Sequence, residues 1–195
     1  MSAINVFAVD CSTITCPSGA LGAMETINQD CNDNIYQSEI NSLIWWHPTL
    51  GTSITNWGAS LATTDFDIDN TDGTDAKQKR VFGQGDLGAP DYSTVTTNNF
   101  NQVDLPSTYT LNFDIFDVGA NSYEYLRKLQ CSKVKPCFVY TTVGGKVWGD
   151  ADGITPTMFR LSPILERGEE SVEKWSLVIT WKSHTAPDRQ PNPLP

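Results

Sequence analysis

Apolar and polar side chains alternate along two stretches of the chain. Tyr109, Leu111, Phe113 and Ile115 are separated by Thr110, Asn112 and Asp114, and Trp175, Leu177, Ile179 and Trp181 by Ser176, Val178 and Thr180. A period of two sends every second side chain to one face, so each stretch predicts a strand with one buried face. A third signal is the pair of β-prone runs 137–143 and 146–148 around Gly144-Gly145. Two residues that tolerate positive φ predict a two-residue hairpin turn there. The runs 43–46 and 158–163 predict two more strands. One helix is expected over 122–130. Asn121 and Glu124 have capping-box spacing, Tyr123, Leu126 and Leu129 form an apolar stripe, and Arg127 and Lys128 sit near the C-terminal end. Lys135-Pro136 ends it.

Two segments read as irregular. Residues 47–106 are rich in Gly, Asn, Asp and Thr and predict a long loop-rich insert, which a compact domain keeps only for a function. Residues 183–195 carry Pro187, Pro191, Pro193 and Pro195. They predict an extended arm that stays out of any sheet interior and is disordered or lies on a neighbour. The expected core is Tyr109, Leu111, Phe113, Ile115, Phe138, Tyr140, Leu177 and Ile179, with Leu126 and Leu129 packed on the sheet. The fold class is mainly β, a sandwich or barrel with one flanking short helix, in a single domain over 1–195.

Composition narrows the function. With 195 residues, 39% hydrophobic and 18% charged, the chain can bury a real core and is not a solvated disordered polymer. Its net charge of −10 argues against affinity for phosphate backbones. The charge is uneven: residues 1–76 hold ten acids and no Lys or Arg. The first bases, Lys77, Lys79 and Arg80, are therefore expected at subunit contacts, paired with those acids. No apolar run is long enough for a spanning helix, and no secretory signal is expected. Five cysteines, Cys11, Cys16, Cys31, Cys131 and Cys137, make an odd set with no zinc spacing. Cys11–Cys16 and Cys131–Cys137 could close small disulfide loops in an oxidising setting, and buried free thiols are the plainer reading.

Candidate chemistry is thin. Asp65, Asp67 and Asp69 alternate as calcium ligands do, yet Asn70 and Ala76 stand where an EF-hand needs Gly and Glu. They are kept as weak metal candidates, with no cofactor expected. His47 and His184 belong to no paired motif, and the chain has no nucleophile elbow, zinc-protease helix or phosphate-binding glycine loop. No enzyme is expected. Six tryptophans are many for this length. On an exposed sheet they would stack sugars, but Trp175 and Trp181 share the phase of Leu177 and Ile179, which points to a core or subunit interface.

The second half resembles a bacteriophage tail tube protein. The resemblance rests on the strand 109–116, the helix 123–130 (YEYLRKLQ), the hairpin 138–149 (FVYTTVGGKVWG) and the closing strand 174–183 (KWSLVITWKS). It covers about 40% of the chain, in element order and texture, and residues 1–106 have no counterpart in it. It implies a small sandwich or barrel with one helix, stacking as rings around a channel for DNA that passes without tight binding. It also implies a place in the virion tail, assembly in the host cytoplasm, and contacts with its own copies and other tail proteins. A hub, collar or ring role fits the same elements. Subunit contacts are then expected at Lys77, Lys79, Arg80, Pro187, Pro191 and Pro193. The rival reading is an extracellular β-sandwich carbohydrate-binding module, calcium-dependent if the acidic loop holds a cation.

Overall fold

The two alternating stretches meet as neighbours. Strands β5 (Ser107–Phe116) and β9 (Lys174–Ser183) are antiparallel, and Tyr109, Leu111, Phe113 and Ile115 face Trp181, Ile179, Leu177 and Trp175 directly across the ladder. Their apolar faces coincide because a single register puts all eight residues on one side. All eight are buried. The computed structural model describes residues 38–50, 53–68, 77–96, 102–116, 120–132, 134–165 and 173–194, which lie within the unit Tyr36–Pro195. Cys11, Cys16 and Cys31, the acids before Ser38, and Asp69, Asp72 and Asp75 fall outside the described residues.

The remaining strands are β1 (Ile40–Trp46), β2 (Gln78–Leu87), β3 (Thr94–Thr96), β4 (Gln102–Asp104), β6 (Cys137–Thr142), β7 (Lys146–Gly149), β8 (Met158–Ile164) and β10 (Asp188–Pro191). The helix α1 spans Ala120–Cys131. Eight strands form one antiparallel sheet in the order β10-β7-β6-β1-β2-β5-β9-β8, and β3 and β4 form a separate pair. The fold is mainly β, as the alternation predicts.

The large sheet is rolled. Trp45 on β1 meets Phe159 on β8 with ring centroids 6.0 Å apart, and Phe138 on β6 meets Trp181 on β9 at 5.6 Å. Each pair is four strands apart in the sheet order, about 19 Å in a flat sheet. The contacts require the sheet to fold over onto that face. Strand β2 makes the corner: Gln78 to Gly85 pair with β1, and Gln84 to Leu87 pair with β5. A side chain at Gly85 would put its Cβ 2.5 Å from the Asn112 carbonyl oxygen and 2.7 Å from the Phe113 ring. Only glycine lets β5 and Phe113 come this close at the bend.

Both faces of the central strands are therefore covered. The inner core holds Leu43, Trp45, Phe113, Phe138, Leu177 and Ile179 among others, with Leu126 of α1 buried against it and Leu129 half-buried. Tyr123 of α1 meets Trp175 edge-on at 5.4 Å. On the opposite face Ile44, Trp46, Val139 and Val147 pack with Ile54 and Phe66 from residues 53–68 and with Leu194. Burial on two sides explains why β1 and β6 read as apolar runs without alternation.

Four expectations change. The hairpin β6–β7 has three turn residues, since Thr142 pairs with Lys146, and only Gly145 of the two glycines takes positive φ (71°). The Gly145 amide donates to the Thr142 carbonyl (3.0 Å), the pattern of a turn followed by a left-handed residue. The helix starts at Ala120, so Asn121 lies inside its first turn and does not cap it. The segment 47–106 is no simple insert, because it supplies β2; Gly83, Gly85 and the polar Lys79, Arg80, Gln84 and Asp86 mask that strand's alternation. The C-terminal arm pairs with its own chain: β10 adds to the edge of β7, with Pro191 opposite Lys146 at the strand's end. An edge strand bonds on one side only, and so tolerates a terminal proline.

Replacing Phe113 or Ile179 by Ala is expected to cost about 2–5 kcal/mol, the range for large-to-small core changes. Urea unfolding midpoints measure it. Gly85→Ala should also lower the midpoint, because the new methyl group meets backbone and an aromatic ring; a midpoint at the wild-type value would mean that the corner has slack.

Candidate functional site

The antiparallel pairing of β2 with β5 fixes a polar quartet. Gln84 lies opposite Asp114 and Asp86 opposite Asn112, so the four share one face at the corner. Lys174 on β9 pairs with the Asp114 carboxylate at 3.0 Å and anchors one member. A cleft of about 810 Å³ opens beside the quartet. Its other lining residues include Glu39 and Ile40 at the start of β1, Tyr140 and Thr142 of β6, Lys146 and Trp148 of β7, and Arg189 of β10.

Pairing places the last of these together too. Trp148 is opposite both Tyr140 and Arg189 in its two ladders. The Trp148 and Tyr140 rings are parallel with centroids 6.1 Å apart, and the Arg189 guanidinium lies 5.6 Å from the indole centroid. Burial pushes the Tyr140 phenol well above its ordinary value, so it keeps its proton at neutral pH. Trp148 and Tyr140 pack with the inner core, as Ile40, Leu87 and Phe113 do, whereas the quartet's side chains alternate to the opposite, outward face of β2 and β5.

The residues singled out from sequence lie elsewhere. Asp65 is buried, and its carboxylate accepts from the Thr55 hydroxyl (2.9 Å), the Asn56 side-chain amide (2.8 Å) and the Ala62 backbone amide (2.7 Å). These bonds tie the 53–68 segment that covers the outer core. Both oxygens are occupied by the fold, which argues against a metal-ligand role for Asp65. The Asp67 backbone amide donates to the Gln78 side-chain oxygen at 3.2 Å, and the Gln78 backbone amide donates to the Asp67 carbonyl at 3.0 Å. Asp69 is outside the described residues, and among the described residues no three His, Cys, Asp or Glu side chains converge as a metal cluster.

Lys77 is exposed just before β2, and Lys79 pairs opposite Trp45. Arg80 lies within β2. It is half-buried, donates to the Ser42 hydroxyl (3.2 Å) and covers the Phe82 ring at 4.5 Å. Burial lowers its pKa. Pro187 and Pro193 flank β10, and Pro191 ends it. Cys131 is an exposed free thiol at the end of α1 and Cys137 a buried one in β6, so no disulfide joins them. Four tryptophans, Trp45, Trp46, Trp175 and Trp181, are interior, leaving Trp57 and Trp148 partly accessible.

Sequence reasoning missed the quartet. Asn112 and Asp114 read as the outward face of a strand, which they are, but their partner β2 was hidden in the apparent insert. Cross-strand pairing was the missing signal. Comparison with protein-family models, curated proteins and solved structures finds no match to this chain.

The Asp65 clamp has a pH signature. The Ala62 amide, then Thr55 and Asn56, hold its carboxyl below the ordinary carboxylate range, against the opposing effect of burial. A depressed folded-state pKa stabilises the fold fully above the unfolded value of about 3.9 and loses that stabilisation as pH falls through the folded value. Asp65→Ala should therefore be less stable than wild type near neutral pH, with the difference shrinking in acid. Thermal unfolding from neutral pH to below the ordinary carboxylate range measures it; a difference that stays constant with pH would show that the charge is not what holds the segment.

Proposed function

We propose that this protein is a structural virion subunit that assembles with copies of itself as the tube of a phage tail, stacking as rings around a channel for the genome. The observation that carries this reading is a ribbon that, among the described residues, pairs its two strands only with each other. Beyond Leu87 and Leu111 the β2–β5 ladder continues through the Asp91–Thr108 bridge and the Leu105 amide bond to Ser93 into β3–β4. The result is a two-stranded arm that leaves the large sheet and carries exposed Tyr92, Val95 and Leu105, with Tyr92 80% accessible. A two-stranded ribbon with apolar side chains in water is marginal alone and gains stability from a partner surface. A second copy of the chain supplies one in this reading.

Two features add support. Among the described residues β8 bonds only to β9, and sheet edges in assemblies are covered by neighbours. The net charge of −10 disfavours retention of passing phosphates, which suits a conduit. No helix among the described residues is long and apolar enough to cross a membrane. The sugar-module reading has less to draw on, because most of the tryptophans serve the core.

Sedimentation and negative-stain electron microscopy of the full chain at high concentration should reveal rings or tubes. Tyr92→Ser combined with Val95→Ser should leave the thermal unfolding of the monomer unchanged and reduce assembly severely. Because repulsion between acidic subunits is screened over about 10 Å at 0.1 M salt, assembly should strengthen as salt is raised from very low values. A chain that remains monomeric at every concentration and salt level would overturn the proposal.

A further inference from the structure

We propose that the β3–β4 ribbon of one copy adds, head to tail, to the open edge of β8 in the next copy. This rests on the assembly reading above and names the surface on which the ribbon settles. Among the described residues β8 is hydrogen-bonded on one side only, by β9, and β3 and β4 bond only to each other. Each element therefore presents main-chain donors and acceptors along an edge, and strand addition satisfies both sets at once. Pro163 has no N–H to offer and confines the receiving stretch to 158–162. That length accommodates β4, which has three residues.

The side chains match on both faces. In the ribbon Val95 lies opposite Val103, and Leu105 follows two residues on, so these three share one face. Asp104 lies opposite Thr94 on the other face. In β8, Phe159 and Leu161 belong to the inner core, while Arg160 faces outward opposite Val178. A ribbon laid along this edge with its apolar face on the side of Phe159 and Leu161 brings Asp104 to the side of Arg160. Turned over, it would set apolar groups beside the charge on one face and charge beside apolar groups on the other, so the pattern selects one way up.

Charge agrees over a wider range. No Lys or Arg occurs in residues 81–126, and the ribbon carries Asp91 and Asp104. Residues 153–165 hold no Asp or Glu; Arg160 is exposed there, and the Lys135 ammonium donates to the Thr157 carbonyl just before β8. Two ribbons placed together would oppose their acids, and two β8 edges their bases. The favoured contact joins unlike surfaces, and such a contact closes into a ring when the rotation between copies divides a full turn.

Sedimentation velocity of the full chain at one salt concentration, which holds general repulsion constant, tests this with charge reversals. Asp104→Lys and Arg160→Glu should each weaken association about tenfold, and the two together in one chain should restore it. Both side chains are exposed, and thermal unfolding shows whether each variant keeps its fold. Deuterium exchange needs no variant: amides of 102–105 and 158–162 in the wild-type chain should exchange more slowly once it assembles. Reversals that associate as the wild type does, a double variant that does not recover, or unchanged exchange over 158–162 would overturn this docking and leave the assembly reading in place. A chain that never associates removes both.

Discussion

The close approach of β5 to the two glycines of β2 is the constraint on which the rest depends. With Phe113 lying over Gly83 and Gly85, one strand serves both halves of the sheet and turns between them. Because it turns, side chains four strands apart in the hydrogen-bonded order become direct neighbours, and a single sheet encloses its own core. Past the bend the same β2–β5 ladder runs on into the β3–β4 ribbon. Core and arm both depend on a place where a side chain does not fit.

Burial is divided between two faces in a way that assigns each loop a task. Residues 53–68 are held by Asp65 and its three donors so that Ile54 and Phe66 cover the back of β1, β6 and β7. The helix α1 covers the inner side next to β8 with Leu126. The Trp57 indole N–H donates to the Asp188 carboxylate at 3.1 Å, linking the 53–68 segment to the last strand. Polar bonds here position apolar covers and contribute little burial of their own.

How far the sequence was legible follows from what each element buries. Strands β5 and β9 were evident because each has one wet face, so the period of two survives, and the hairpin was evident because its glycines stand between apolar runs. Strand β2 was not evident. Its glycines answer to Phe113 of another strand, and Arg80 answers to Ser42. A pattern set by partners distant in the chain leaves no local period. The C-terminal arm was read correctly as extended and wrongly as reaching elsewhere, because proline content limits which position a strand takes and says nothing about whose edge it joins. The acids Asp65 and Asp67 looked like ligands for the opposite reason: spacing suggested convergence on an ion, and the fold uses the first for three internal donors.

The order in which β7 and β10 are synthesised bears on how the sheet is made. Strand β7, which it covers, lies some forty residues earlier, and β6 and β1 beside it are complete sooner still. During synthesis from the N-terminus the β7 edge is therefore open until residues 188–191 emerge, while its neighbours can already be paired. Open strand edges on nascent chains are where wrong partners attach. Four residues with a proline at their end make a short cap that arrives after the strand it protects, and until it arrives the β7 edge is open to other strands.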